Sequence, residues 1–567
     1  MTRISWIAVV SVAATVTVTA VVQLAQVGEP AVDVQLLAIN DFHGALEPAS
    51  GGNGRIGSAD AGGIEYLATH LARLKATNPN TFIVSAGDNI GGTPLLSSLF
   101  HDEPSIEALN VAGLQLSALG NHDLDEGWWE LLRVQRGGCH PVDGCQDGTP
   151  FSGASFAHLA ANVTLDPRKA DPLMLALAGV RGAEPRPLLP PYAIREIDGV
   201  RVGFIGVVTQ DTPRVILPTS VRGLAFGPEP DAANTAARTL REQGVRAIVV
   251  LMHAGAERTG ADINGCGGVS RPFIDLVSRL SDDIDVVVSG HTHHGYNCTI
   301  DGKLVTSAAS AGRLVTDIDL RVRRSDGEIV AKAARNVIVT RDVAKDAAQT
   351  ALLEHYRSLG NKGGSRVVGS ITGSLTRDFN DAAEFSLGDL VADALLEAAR
   401  RTPGANAEIA IWNPGGIRAD LVAAPGSGPT PVTYAQVFAV LPFGNELIVK
   451  TVTGDTLLQM LEQQFGAERV RIMQVSSGFS YAYAPSRPRG QRIIRESVRI
   501  NGAPLELTRQ YRLATSDFLW ETGDGLTALG SSTDPVLIGV DYEILADYFS
   551  RHSPIRPGSL NRIRKIR

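Results

Sequence analysis

Apolar residues along this chain fall into short unbroken runs. VQLLAIN (34–40), TFIVSAG (81–87), LSALG (116–120), RVGFIGVVT (201–209), AIVVLM (247–252) and DVVVSG (285–290) show no polar alternation. That is how strands buried on both faces of a parallel sheet read. LVTDIDLRV and NVIVT add two more strands before residue 340. Residues 343–360 change rhythm. Leu352, Leu353, Tyr356 and Leu359 recur at helical spacing and predict a helix ending at Gly360, with NKGG (361–364) as a flexible exit. Beyond it, VVGSIT, SLGDLVADALLEAAR and EIAIWN predict strand, helix and strand, opening a second, α+β region. The terminal RIRKIR predicts an edge strand with a solvated charged face. The pattern divides the chain into an apolar leader (1–30), an α/β domain (34–340), a connecting helix (343–362) and a smaller α+β domain (366–565).

Five of the runs end in residues of one chemical kind. Asp41 and His43 follow the first, Asp88 the second, Asn121 and His122 the third, His253 the fifth, and His291 and His293 the last. Active-site residues in open α/β sheets gather at the carboxyl ends of strands, so these side chains are aimed at one point. Imidazole nitrogen with carboxylate and amide oxygen, and no thiolate, suits two divalent ions of the zinc, manganese, iron or cobalt kind. Two such ions about 3.5–4 Å apart are a device for phosphoester hydrolysis. A shared anion must hold them together, and Asp88, alone on its strand end, is the natural bridge. His294 points away from His293 in an extended backbone, and His101 and His140, without strand context, read as surface residues.

The motifs DFH (41–43), GDN (87–89), GNHD (120–123), MHAG (252–255) and GHTH (290–293) resemble those of the calcineurin-like metallophosphoesterases, and more narrowly the 5′-nucleotidase family. The resemblance implies two sheets sandwiched between helices, a four-layer αββα domain, followed by a substrate-binding domain. It places one metal on Asp41, His43, Asp88 and His293, and the second on Asp88, Asn121, His253 and His291. It makes His122 and Asp125 a catalytic pair beside a metal-activated water. Read locally, Asp125 could instead cap a helix beginning near Glu126.

In the second domain WNPGGIRADL (412–421) resembles the family's Asn-x-Gly-Gly-Ile-Arg motif, which implies substrate contacts from Asn413 and Arg418. An Arg fork suits phosphate; read alone, the segment is equally a Gly-rich turn. The resemblance makes Phe443 and Phe518 a clamp for a nucleobase and Asp524 an acceptor for ribose or base. In DFNDAAEFSLGDL (378–390) the sequence departs from the family: Ala383 stands before Glu384 where the animal enzyme carries Arg, and Arg377 is the nearest substitute. The implied function is hydrolysis of a nucleotide phosphoester to nucleoside and phosphate. The departure leaves a 2′,3′-cyclic nucleotide, a UDP-sugar or a dinucleotide as alternative substrates, and a non-catalytic binding protein as a rival of another class. A site split between domains further implies that domain closure completes it.

The 567 residues carry a net charge of −8, with pI about 5.9 and mean hydropathy +0.04. An acidic chain does not fit general nucleic-acid binding. Arg3 followed by an uncharged stretch through residue 28 reads as an export signal cleaved after Ala20, or else as a retained single membrane anchor; either exports the rest. In an exported chain the four cysteines are expected in disulfides. Of three possible connectivities, Cys139–Cys145 closes a local loop, and Cys266–Cys298 would brace the rim of the metal site.

Overall fold

The computed structural model describes residues 30–426, 428–466 and 470–566, without the side chains of 361 and 362. The export segment lies outside the described residues. Among those described, no helix is long and apolar enough to cross a membrane.

The unbroken apolar runs form the inner strands of two six-stranded sheets. In the first, Ala31–Ile39, Thr81–Ser85, Leu116–Ala118 and Ala157–Leu159 run parallel, and Leu314–Arg323 with Ile329–Ile338 extend the other edge antiparallel. In the second, Val200–Val208, Ala247–His253, Val286–Ser289 and Lys303–Ala308 run parallel between the antiparallel edges Tyr192–Ile197 and Gly295–Ile300. The sheets pack face to face: Val34, Leu36, Val84 and Leu116 meet Val202, Phe204, Val249 and Val288 in one core. Phe82 and Phe204 touch edge to face at 5.5 Å. Helices Ile64–Lys75 and Glu103–Val111 cover the first sheet, and Glu229–Glu242 with Arg271–Val277 cover the second. The result is the four-layer αββα arrangement. Both sheets are apolar on each face because each is sandwiched, which is why the strands show no alternation.

The connecting helix runs Ala347–Gly364, later at both ends than its periodicity predicts. Asp346 accepts a hydrogen bond from the Gln349 N–H and sets the start. Gly360 does not stop it. A Cβ there would meet Leu99 at 3.4 Å and Phe100 at 3.5 Å, and one at Gly364 would meet Leu95 at 3.0 Å. The Gly360 contacts are ordinary van der Waals distances, and Gly364 is the glycine that lets the helix lie close on Leu95; NKGG belongs to the helix and is not an exit. Leu353 and Tyr356 are buried as expected, whereas Leu359 is exposed.

In the second domain, helix Ser386–Arg401 buries Leu387, Val391, Ala394 and Leu395 against a five-stranded sheet. The strands are ordered Gln474–Val475, Ile409–Trp412, Gln510–Ser516, Glu446–Thr453 and Thr533–Val540. Ile563–Lys565 pairs with Phe479–Tyr483 at the edge of a smaller sheet, Ile563 inward and Arg564 and Lys565 exposed, the terminal edge strand read from RIRKIR. Both disulfides form, Cys139–Cys145 and Cys266–Cys298.

Candidate active site

Five of the seven ligand residues sit at a sharp change of backbone. Asp41, His43, Asp88, His291 and His293 all have φ between 46° and 73°. That left-handed region is uncommon for residues with a Cβ and gathers at functional sites. Backbone bonds hold the turns: Asp41 N–H donates to Gly87 O and His43 N–H to Asp88 O. The Asp88 and Asp41 carboxylates accept from the N–H groups of His122 at 2.8 Å and His291 at 2.9 Å. Glycine is required where loops cross. A Cβ on Gly120 would stand 2.1 Å from both the Asp88 nitrogen and its carboxylate oxygen.

The structure brings together the seven predicted ligand residues in two adjoining groups, Asp41–His43–His293 and Asp88–His253–His291, with Asn121 Oδ1 facing His253 Nε2 at 3.1 Å and His291 Nδ1 at 2.8 Å. Asp88 Oδ2 lies 3.6 Å from His43 Nε2 and 3.1 Å from His253 Nε2, so one oxygen faces both groups. The tautomers follow from the outer bonds. His43 Nδ1–H donates to Gly91 O and His253 Nδ1–H to Ala86 O, both at 2.8 Å, leaving each Nε2 directed inward; such outer partners orient metal-bound imidazoles. His43 Nε2 and His293 Nε2 sit 3.2 Å apart, and burial, with Arg418 second, holds both imidazoles well below the usual range. The Asn121 amide nitrogen is buried without a partner, its oxygen turned to the histidines. This donor set fits two divalent ions of the kind its chemistry predicts. Burial works against charge on Asp88, but His253 and His122 hold its carboxyl well below the usual carboxylate range.

His122 projects beside this centre. Its Nδ1–H donates to both oxygens of Asp125 at 3.0 Å. Burial opposes charge on His122, but Asp125 and Asp88 raise its pKa. Asp125 therefore caps no helix. The following helix is Trp128–Arg136, and Gly127 holds its N-cap position. His294 lies outside both groups, 3.5 Å from Glu257.

The second domain closes over the centre. Arg418 donates to His43 Nε2 at 3.0 Å, and Asn53 from the first domain donates to Arg418 O at 2.6 Å. Phe443 stacks on His122 with ring centroids 5.3 Å apart, and the Arg418 guanidinium lies 5.6 Å from the Phe443 ring. Asn413 donates to Asp524 at 3.0 Å, and Arg471 pairs with the same carboxylate at 3.2 Å. Asn413, Arg418, Phe443, Phe518 and Asp524 line one cavity of about 830 Å³ with Asp88, Asn121, His122, His291 and His293. Ala383 adopts φ 60° beside fully buried Glu384. Arg377 reaches the cavity, but its guanidinium is held by Asp420 at 3.2 Å and Asn53 at 2.5 Å.

Several site residues were not singled out from sequence. Asp123 accepts from the N–H groups of Asn89, Ile90 and Gly120 and so clamps two ligand loops together. Asn40 donates to the Asp41 carboxylate at 2.6 Å. Both are polar residues inside or beside apolar runs and buried to within a few per cent, a signal available in the sequence. Arg313 also lines the cavity, donating to the carbonyls of Ser310, Gly52 and Arg55; burial, then Arg377, lowers it to about 10. No spacing marks it.

Comparison with known proteins agrees with this architecture. Residues 34–295 match the calcineurin-like phosphoesterase family, and residues 367–531 match the 5′-nucleotidase C-terminal domain. The cell wall protein Lmo0130 of Listeria monocytogenes is 30% identical over 558 residues, 92% of this chain and 68% of its own length. Endonuclease YhcR of Bacillus subtilis is 30% identical over 89% of this chain, which spans 38% of that protein's length. The crystal structure of a 5′-nucleotidase precursor from Thermus thermophilus superposes with a TM-score of 0.76 at 26% identity, covering 94% of this chain and 99% of that one. The chain belongs to the 5′-nucleotidase family of calcineurin-like metallophosphoesterases, enzymes that hydrolyse phosphoesters with two divalent metal ions.

Proposed function

We propose that this protein hydrolyses a nucleotide phosphoester to nucleoside and phosphate outside the cytoplasm. The observation that carries the reading is the shared cavity: the ligand residues and His122 form one wall, and Phe443, Phe518, Asn413 and Asp524 form the other. A nucleotide has the matching division, an anionic group at one end and an aromatic base with polar ribose at the other.

Asp41, His43, Asp88 and His293 would hold one ion, and Asp88, Asn121, His253 and His291 the other. Divalent ions there supply neutralisation of phosphoryl charge and a more acidic attacking water. The chain's own residues do the rest. Arg418 offers a guanidinium fork to the phosphoryl oxygens. His122, whose pKa Asp125 and Asp88 raise against burial, is placed to donate a proton toward the departing oxygen. Phe443 and Phe518 offer apolar faces to a base, and Asp524 accepts from hydroxyl or amine. The second domain covers the centre with Arg418 and Phe443.

Two disulfides support an oxidising, extracytoplasmic setting, as does the likeness to a cell wall protein. Ala383, and the engagement of Arg377 by Asp420 and Asn53, favour a second reading in which the substrate is a diester or a nucleotide sugar. A binding-only role has no use for the His122–Asp125 pair.

The test is phosphate release from AMP, ADP, UDP-glucose, 2′,3′-cyclic AMP and bis(4-nitrophenyl) phosphate, with manganese or zinc and with chelator. Metal-dependent release from AMP is expected. Turnover confined to cyclic AMP, UDP-glucose or the diester reporter would replace the substrate assignment. No turnover of any substrate with metal bound would contradict the hydrolase reading.

A further inference from the structure

Two polar clusters outside the ligand groups differ in what they reach. His101 and His140, read from sequence as surface residues, stack face to face at 3.7 Å. His140 is 7% exposed, and both ring nitrogens of His101 are taken, by Glu126 and Asp143. That cluster is closed on itself. Residues 50–53 are not: they belong to the first domain and direct their hydrogen bonds to the second.

Asn53 lines the cavity, and its amide uses both ends across the domain boundary. Nδ2–H donates to Arg418 O at 2.6 Å, and Oδ1 accepts from Arg377 at 2.5 Å. Ser50 Oγ–H donates to Asp420 O at 3.0 Å, and the Gly52 N–H donates to the Asp420 carboxylate at 3.1 Å. The same carboxylate accepts from the Arg377 N–H at 3.0 Å and its Nε–H at 3.2 Å, and Arg377 donates to Ile417 O at 3.3 Å. The backbone is thus gripped at 417, 418 and 420, by this loop directly or through Arg377. The Arg418 N–H is held separately, by Val440 O at 2.9 Å.

The close approach depends on glycine. Gly51 has φ 61°, and a Cβ there would stand 2.5 Å from Asp420 Oδ2. Arginines of the first domain brace the loop from behind. Arg313 donates to Gly52 O at 3.1 Å and Arg55 O at 3.2 Å, and Arg341 to Gly54 O at 3.1 Å and Ala61 O at 2.6 Å. The loop is therefore fixed to the domain that carries the ligand residues. What it touches is the short piece of backbone from which Arg418 extends to His43 Nε2, 3.0 Å away. A long side chain with several rotatable bonds is placed only as well as its backbone is held, and a misplacement of about 1 Å at a reacting centre can lose about 10²-fold in rate.

We propose that Asn53 is a positioning residue: through the Arg418 carbonyl it sets the Arg418 guanidinium against the ligand groups of the other domain. The inference rests on Arg418 meeting the phosphoryl oxygens, as proposed above. The position calls for an amide, because it needs a donor toward a carbonyl and an acceptor toward a guanidinium. Aspartate supplies only the acceptor, and alanine supplies neither.

The test is calorimetric binding of inorganic phosphate, a ligand without a base, to manganese-loaded full-length protein. Wild type, Asn53→Ala, Asn53→Asp, Arg418→Ala and the double variant Asn53→Ala/Arg418→Ala are compared, with manganese counted in each. Arg418→Ala should weaken phosphate about tenfold or more, the worth of a hydrogen bond to a charged group. Asn53→Ala should weaken it about threefold to tenfold in the wild-type background and less than about twofold when Arg418 is already alanine, the non-additivity of two residues acting as one. Asn53→Asp should bind no better than Asn53→Ala, and manganese content should not change. Equal losses in both backgrounds, wild-type affinity in Asn53→Asp, or loss of manganese from Asn53→Ala would overturn the proposal and leave the role of Arg418 standing. Phosphate affinity indifferent to Arg418→Ala would remove that role and this inference together.

Discussion

The two walls of the cavity are built differently. On the first-domain side every ligand residue ends a strand that is buried on both faces, and backbone N–H groups of neighbouring loops grip the carboxylates. On the second-domain side the lining residues come from turns and helix ends. They satisfy one another: Asn413 and Arg471 engage Asp524, Arg377 engages Asp420, and Phe443 rests on His122 and Arg418. Chemistry is placed on a rigid scaffold, whereas recognition is placed on groups whose partners can be exchanged for substrate. The same contrast explains why the reaction class can be read more firmly than the substrate.

Substitutions on the two walls should therefore differ in kind. The largest effect is expected from Asp88→Asn, which removes the anion facing both ligand groups. Metal content should fall and turnover should vanish together, as read by metal analysis alongside phosphate release. Full metal content with full activity would break the account of the centre.

His122→Ala should lower kcat by about 10²–10⁴-fold, the span of general acid–base catalysis, with both ions retained. A parallel loss of metal would assign His122 to the ligand set instead. On the other wall, Phe443→Ala should weaken nucleotide binding by about 1–3 kcal/mol, the worth of one base–aromatic stack, seen as a raised KM for AMP. Bis(4-nitrophenyl) phosphate, which carries no nucleobase, should be affected less. An equal loss on both substrates would show that Phe443 acts by supporting His122.

The smallest effect concerns stability. Burial raises Asp541, in the second domain, to about 8. Its folded pKa lies above the unfolded value near 3.8, so its contribution is fully present below that value. It is lost as pH rises toward about 8, because the unfolded chain releases the proton first. Asp541→Asn should flatten the fall in melting temperature across this window while leaving ion content unchanged. An unaltered pH profile would contradict the assignment.

Much of this architecture is legible in the sequence, and the exceptions have physical causes. Runs such as AIVVLM and TFIVSA announce buried parallel strands, and the residue after each run lies at the sheet's carboxyl edge, so convergence of the ligands follows from topology. Gly360 misleads because glycine permits a helix stop without imposing one; here the helix runs on to Gly364, where a Cβ would crowd Leu95 at 3.0 Å. The pairing of His101 with His140 has no periodicity to reveal it. It depends on a turn, a helix start and a disulfide loop meeting in space. Arg313 is similar: it precedes a strand, and its place in the cavity wall is set by carbonyls from residues 52 and 55.

The central claim is that one nucleotide spans both walls, phosphate at the ligand groups and base between Phe443 and Phe518. It is tested most directly by a crystal structure of the full chain with manganese, adenosine and phosphate, the metal located by anomalous scattering. The account predicts two manganese peaks, one on each side of Asp88 Oδ2, phosphate beside Arg418 and His122, and the adenine ring between the two phenylalanines. Adenosine bound elsewhere, or a single peak not touching Asp88, would contradict it.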